Sequence, residues 1–386
     1  MSAEIESKSI KGTKWAVIFF YVFIVFEFLY MASPVAVYFY SVYNPGLDLF
    51  GKIPGAVWLT GFFLPHIVED TSCVLINLHN SVGAIFVLVG FLSFLAGAIH
   101  VYSNKLFKKG AVTGGMYKYI RHPQYASFIM ISIGMLFLWP RYLVLLMFIT
   151  VLFVYYFLAR YEEKECERKF GTVYNEYKNK TNMFFPFTIF KKGKVFTLPV
   201  SGLKRGVTVG LLYLASVLVS LGFARILHHL SIDSLDTRFV NNSLFIAITG
   251  IEQNTFDEII KTALKDDNVK GVLHNVDKTG NSQFLSYVLP GDMYISEIPM
   301  SMENVIDRDH FLAGTELSSN NTIFKIIFTI PIPINNSISK DKNILLNTYS
   351  IDPAFEVWVD TEKKEVIKVI QLPKDKRYGH TPVPVY

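Results

Sequence analysis

The sequence predicts a polytopic α-helical membrane protein of about five transmembrane helices, carrying a C-terminal soluble α+β domain. Three observations predict it. Apolar, aromatic runs near the roughly 20 residues needed to cross a bilayer alternate with basic segments over residues 1–227. Half the 386-residue chain is apolar and only 18% is charged, against about 25% in ordinary soluble domains. After His228 the pattern changes to short alternating runs bounded by turn residues. The net charge of +5 conceals an asymmetry: residues 228–386 hold 15 basic and 21 acidic side chains, and residues 1–227 hold 22 and 11. A basic membrane half reads as topology and not as nucleic-acid binding. Cys73 and Cys166 suit neither a disulfide framework nor a zinc site.

Residues 1–79 comprise a first span and a broken segment. The run from Trp15 to Tyr43 exceeds a cleavable signal's apolar core and lacks a small-residue cleavage site, so it is expected to stay as a helix. Glu27 lies inside it and Pro34 should kink it. An acid within a span is either a functional group or a paired one facing other helices. Residues 44–79 are apolar but interrupted by Pro45, Pro54, Pro65 and several glycines, which fits a re-entrant or interfacial segment better than a straight span.

Residues 80–190 form the core. A span over about Leu78–Tyr102 carries Gly83, Gly90, Gly97 and Ala98, small residues that let helices approach closely. A basic loop with Lys105, Lys108, Lys109, Lys118 and Arg121 follows. Two further spans, Tyr125–Leu138 and Tyr142–Ala159, form a hairpin about Trp139-Pro140-Arg141; the first is short. Residues 191–229 are a basic linker, with Lys191, Lys192 and Lys194, and a last span near Gly206–Leu227. The basic segments place the N-terminus and residues 103–123 and 160–205 on the cytoplasmic side, and residues 230–386 on the other.

Residues 230–386 read as an independent domain. Strands are expected at Ser243–Ile251, Val269–Val276, Phe324–Ile334, Ala354–Val359 and Glu365–Gln371, with a helix at Thr255–Lys265 and a hairpin turn at Asp360–Lys363. Asn241-Asn242-Ser243, Asn320-Asn321-Thr322 and Asn335-Asn336-Ser337 are glycosylation acceptors in a permissive compartment. His228, His229 and His274 supply no convincing metal-ligand set, and no metal is expected. The domain carries no catalytic motif and offers a surface for protein partners.

The chemistry concentrates between Thr113 and Pro186. Pro123 suits a first helical turn, and the helix start offers free N–H groups to a carboxylate or phosphate. Gly114 and Gly115 permit close backbone approach just upstream. Tyr119, His122 and Tyr125 are suited to pack against a heterocycle or cation. Past the hairpin, Glu162, Glu163 and Glu165 are acceptors for hydroxyl or amino groups. Basic and aromatic residues before a span, and acids after one, are also ordinary interface anchors.

The run Thr113-Gly114-Gly115-Met116-Tyr117 through Arg121-His122-Pro123-Gln124-Tyr125 resembles the isoprenylcysteine carboxyl methyltransferase and phospholipid methyltransferase superfamily. Further matches are Gly134, Pro140, Arg160 with Glu162-Glu163, Phe170-Gly171, Tyr174, Tyr177 and Pro186. The resemblance covers about residues 80–187. It implies S-adenosylmethionine bound at the cytoplasmic face by His122, Pro123 and Tyr125, with Gly114-Gly115 alongside and Glu162 or Glu163 completing the site. It also implies Arg160 and Glu163 as the residues that position a lipophilic acceptor: a prenylcysteine carboxylate, a lipid amine, a thiol or a quinone-like lipid. Membrane sterol reductases, which use NADPH, are similar over the Arg121–Tyr125 stretch and Cys166, Lys169, Phe170-Gly171 and Tyr174. A structural subunit of a membrane complex that keeps this fold without turnover is the alternative from another class.

The topology is testable. In vesicles that expose the cytoplasmic face, added protease should spare a tag placed after Tyr386, and in inverted vesicles it should remove it. The reverse pattern would overturn the assignment.

Overall fold

A computed structural model describes residues 22, 25, 29, 50, 52–53, 55–106, 114–186, 202–276, 283–295, 298, 300, 322–334, 341–372 and 385–386. Most of the expected first span, including Glu27 and Pro34, lies outside the described residues, as do Lys108, Lys109, Lys191, Lys192, Lys194 and the acceptor asparagines at 320 and 335. The chain forms two compact units, each taken in turn.

The first unit includes Ala84–Gly134 and Met147–Tyr213. Its helices belong to α1 (His79–Leu106), α2 (Pro123–Leu138), α3 (Tyr142–Lys180) and α4 (Gly202–Ser234). Three described segments, Val74–Asn104, α3 and α4, are long and apolar enough to cross a membrane; α2 has only 16 residues. The expected count of about five therefore stands at three among the described residues.

At Gly90, α1 approaches α2 closely. A Cβ there would stand 3.0 Å from the Ile131 nitrogen and the Ser127 oxygen, so any larger residue would push two backbones apart. Beside this approach, rings stack in a column from Phe94 to Phe128 (centroids 4.7 Å) and on to Tyr155 and Tyr125 (4.9 Å).

α3 departs from a straight rod. Gly171 has φ 53° and ψ −124°, a conformation outside the helical range and costly for any residue with a Cβ. A straight helix would hold residues 163 and 178 roughly 22 Å apart. Lys178 Nζ lies 3.1 Å from Glu163 Oε2, so the chain folds back at Gly171.

The second unit holds Met135–Leu146, Leu214–Tyr386 and the stretch ending at Gly83. Its centre is one six-stranded sheet in sequence order: β1 (Thr237–Val240), β2 (Ser243–Ala247), β3 (Phe284–Pro290), β4 (Ile323–Pro333), β5 (Thr348–Asp360) and β6 (Glu365–Gln371). Only β2 and β3 are parallel, and helices α5 (Gln253–Lys265) and α6 (Asp267–Val276) make the crossover between them. A short helix, α7 (Asn343–Asn347), precedes β5.

Three differences from the sequence reading have clear causes. Val269–Val276 is helical, not a strand. Val269, Val272, Leu273 and Val276 recur with helical spacing, and Asp266 Oδ1 accepts from the Asn268 and Val269 amides. Strand β1 was missed because it is short; its partner is reached through Asn241-Asn242, both at positive φ, a two-residue hairpin signal. β3, the central run Phe284–Pro290, was missed because it is buried along its whole length and shows no alternation.

The sheet is buried on both faces. One packs on α5 and α6 through Phe245, Phe256, Ile259, Val288, Phe328 and Phe355. The other is covered by Ile67, Val68, Ile232, Leu235, Val385 and Tyr386. The proline-broken segment thus contributes to this sheet's core: Glu69 N donates to Ile248 O at 2.8 Å, and His66 N donates to Tyr386 O at 2.8 Å. Lys325 is buried over the Trp358 ring, 5.3 Å from its centroid. Burial pulls its amine down to about 8 against the attraction of Glu356.

Phe328 is fully buried and stacks on Phe355 at 4.4 Å. Phe328→Ala should cost about 3–5 kcal/mol through lost burial and a cavity. Ile367→Ala, on the exposed side of β6, should cost about 0.5 kcal/mol or less. Urea unfolding followed by backbone circular dichroism measures both.

Candidate functional site

The site begins with the Gly114-Gly115 loop. Gly114 is extended and Gly115 sits at φ +58°, where a side chain is strained. A Cβ on either glycine would rest 3.6–3.7 Å from the His100 ring, so α1 closes one side of the loop. A 3-10 turn, Gly115–Lys118, carries the chain to Tyr119. Residues 119–122 then run beside the end of the folded-back arm. Arg121 N donates to Asn182 O at 2.8 Å, and His122 N to Met183 O at 3.1 Å.

Pro123 opens α2, with His122 as the capping residue whose carbonyl accepts from Ala126 N at 3.0 Å. Proline there loses no bond, since the first helical amides have no partner. The cap fixes the direction of the His122 ring, which stacks on Tyr125 at 5.7 Å.

Glu163 is the electrostatic centre. Its side chain is 1% exposed, and Arg121 Nε lies 2.7 Å from Oε1. Lys178 Nζ at 3.1 Å and Arg160 Nη1 at 3.4 Å reach Oε2, and His122 Nε2 stands 3.6 Å from Oε1. Arg121 also donates to the carbonyls of Lys178 and Thr181 at the end of the arm. A buried carboxylate is tolerated only when so surrounded.

Glu162 differs from its neighbour. It is 40% exposed, accepts from the Tyr125 hydroxyl, and stands 3.4 Å from His122 Nδ1. One carboxylate is therefore saturated by cations, while the other keeps an open side with two partners on its protein side. Burial disfavours charge on His122, but hydrogen bonding and charge attraction from Glu162 and Glu163 outweigh it, so its pKa is raised above 6.5.

The structure thus brings His122, Pro123, Tyr125, Arg160, Glu162 and Glu163 together, and sets Gly114 and Gly115 against His100. Tyr119 contributes its backbone, accepting from Asn182 N at 3.1 Å, while its ring is exposed. Sequence reasoning did not assign Lys178 or His100 to the site. The signal for Lys178 was Gly171: a helix broken there returns its next turns to the preceding acids. Nothing in the linear pattern singles out His100.

Residues 79–173 match the family model of phospholipid methyltransferase. The match spans about a quarter of the chain and contains every one of these site residues except Lys178 and the rest of the returning arm. No curated protein and no solved structure matches the chain. The methyltransferase-like segment holds the hairpin of α2 and the apolar part of α3, and the sheet-bearing region lies outside the match.

The donor set fits the group that such a family implies. Glu162 is an exposed, oriented acceptor for amino or hydroxyl hydrogens, and the Gly114-Gly115 backbone is free of side chains. The Tyr125 ring is 2% exposed and stacked against His122 and Tyr155, so it holds Glu162 through its hydroxyl and does not offer the flat face expected from the sequence.

His122 provides a pH test. Because its folded pKa is raised, its ion pairs contribute fully below the unfolded value near 6.5 and are lost as pH rises through the folded value. The thermal stability advantage of the native protein over His122→Gln should be largest below about pH 6 and shrink steadily above it. An advantage that grows with pH would contradict the arrangement.

Proposed function

We propose that the chain is an integral membrane methyltransferase that uses S-adenosylmethionine and acts on a lipid-soluble or membrane-presented acceptor. The observation that carries this reading is the joining of the loop before α2 to the middle of α3 within the methyltransferase-like segment. His122 and Glu163 meet at 3.6 Å there, and Glu162 is left facing outward.

The cofactor supplies a methyl group on a sulfonium sulfur. Glu162, held by Tyr125, takes amino or hydroxyl hydrogens of its polar end. The buried Tyr125 and His122 side chains keep Glu162 turned toward it, and the glycine loop would let the group approach the backbone. Glu163 acts as a positioning residue, holding Arg121 and His122 in place. Arg160 is half-exposed beside Glu163 and is the residue that would orient an anionic or polar acceptor head. Methyl transfer in line needs alignment and exclusion of water more than proton transfer, which agrees with a site of fixed ion pairs. The acceptor's tail is taken to come from the bilayer, and the site is assigned to the cytoplasmic face on the basic loops around it. The sheet region is assigned to the opposite side, with protein partners as its role.

The test is cofactor binding by the full chain in detergent or nanodiscs. S-adenosylmethionine and S-adenosylhomocysteine should bind, and NADPH should not. His122→Ala and Glu162→Gln should each weaken binding about tenfold or more, the loss of one charge-assisted hydrogen bond. Binding of NADPH instead would support the reductase. Binding of neither, or equal binding by the variants, would refute the proposal.

A further inference from the structure

The second unit encloses a cavity of about 50 Å³, lined by none of the residues of the site above. That is several times the space one water requires. Trp58, Tyr142, Arg225, His228, Leu345 and Tyr386 are among its walls. The polar groups in it form a directed chain. Arg225, which can only donate, stands beside the Tyr142 hydroxyl in this cavity. That oxygen lies 2.9 Å from His228 Nδ1. With that cation beside its oxygen, the tyrosine directs its own proton away to Nδ1, and the imidazole hydrogen then sits on Nε2. A charged ring would carry one there as well.

Nε2 has no hydrogen-bond partner among the described residues, although His228 is only 8% exposed. The ring cannot turn to find one. It is stacked on Tyr386 at 5.7 Å and 16°, with Tyr142 tilted against it at 6.0 Å. Arg225 is exposed and forms no ion pair among the described residues. Two donors therefore line one small space, one a full positive charge, with no acidic side chain among its walls. That pattern selects an oxyanion.

The surroundings of Arg225 say how such a group arrives. Arg225 lies on α4, which is long and apolar enough to cross a membrane and whose most apolar stretch is almost bare. Leu218, a heptad before it, is 60% exposed, and the neighbouring Phe223 and Ile226 are exposed as well. A head group at Arg225 would have acyl chains beside those residues. We propose that this cavity binds an oxyanion head, phosphate or carboxylate, borne on a membrane lipid, with Arg225 and His228 Nε2–H as its donors.

The test uses the full chain in nanodiscs of phosphatidylcholine alone, or with one-fifth dioleoylphosphatidate or oleate, and a third arm with millimolar inorganic phosphate. Lipid retained through detergent exchange is read by native mass spectrometry, and thermal midpoints are recorded alongside. The native chain should retain the anionic lipid about tenfold over phosphatidylcholine. Arg225→Gln and His228→Gln should lose that preference. Tyr142→Phe keeps its ring against Trp58 and Phe63, so a loss of preference there with an unchanged midpoint separates binding from folding. Lys204→Gln, another basic residue of α4, should leave retention unchanged. A loss in Lys204→Gln equal to that in Arg225→Gln would reduce the effect to general surface attraction and overturn the site. Protection by inorganic phosphate that vanishes in Arg225→Gln, without lipid preference, would keep the oxyanion site but assign it a soluble ligand. Equal behaviour of all variants in every arm would overturn it outright.

Discussion

A single buried carboxylate organises the methyltransferase-like segment. Glu163 is almost wholly removed from water, and such a charge is costly unless cations surround it. Arg121 comes from the loop before α2, Arg160 from α3 itself, and Lys178 from the arm beyond Gly171. Satisfying Glu163 therefore brings three separate stretches of chain together. The Arg121 guanidinium extends the effect by bonding two carbonyls at the end of the arm. With those stretches pinned, His122 and Tyr125 have little freedom, and Glu162, one residue away, is turned outward with both of them beside it.

The apolar part of the segment supports this arrangement. The ring column of Phe94, Phe128, Tyr155 and Tyr125 ends at the hydroxyl that binds Glu162. The close approach at Gly90 sets the spacing of the helices that carry the column. Packing within the span is thus connected to the polar groups at its end, by contact alone. In the second unit the governing constraint is different. A sheet buried on both faces needs two covers, and α5 and α6 supply only one. The other comes from Ile67 and Val68, far back before α1, and from Ile232 and Leu235 at and just past the end of α4.

Much of the candidate site was legible because its residues lie in short local runs whose chemistry shows without folding. Pro123 after His122 announces a helix start, and paired glutamates after an apolar run announce a polar end. The difference between Glu162 and Glu163 was not legible. Both are acids on one helix, and only the partners around each decide which is saturated and which is open. Tyr119 lies in the same run as His122, yet its ring points to solvent while its carbonyl pairs with Asn182 N on the arm. Lys178 was hidden because helical periodicity assumes an unbroken axis, and Gly171 breaks it.

The apolar helices α1 to α4, the turns at Trp139–Arg141 and Asp360–Lys363, the basic loops and the motif around His122 are local properties. They follow from residue type, spacing and the cost of burying a backbone without partners, so the sequence by itself determined them. The tertiary structure alone decided which carboxylate is buried, where α3 folds back and how residues 66–69 join the sheet. It also decided that Tyr142, Arg225 and His228 share a cavity. Those outcomes depend on desolvating charged and apolar groups against partners far away in the chain, and no local pattern records which partner is chosen.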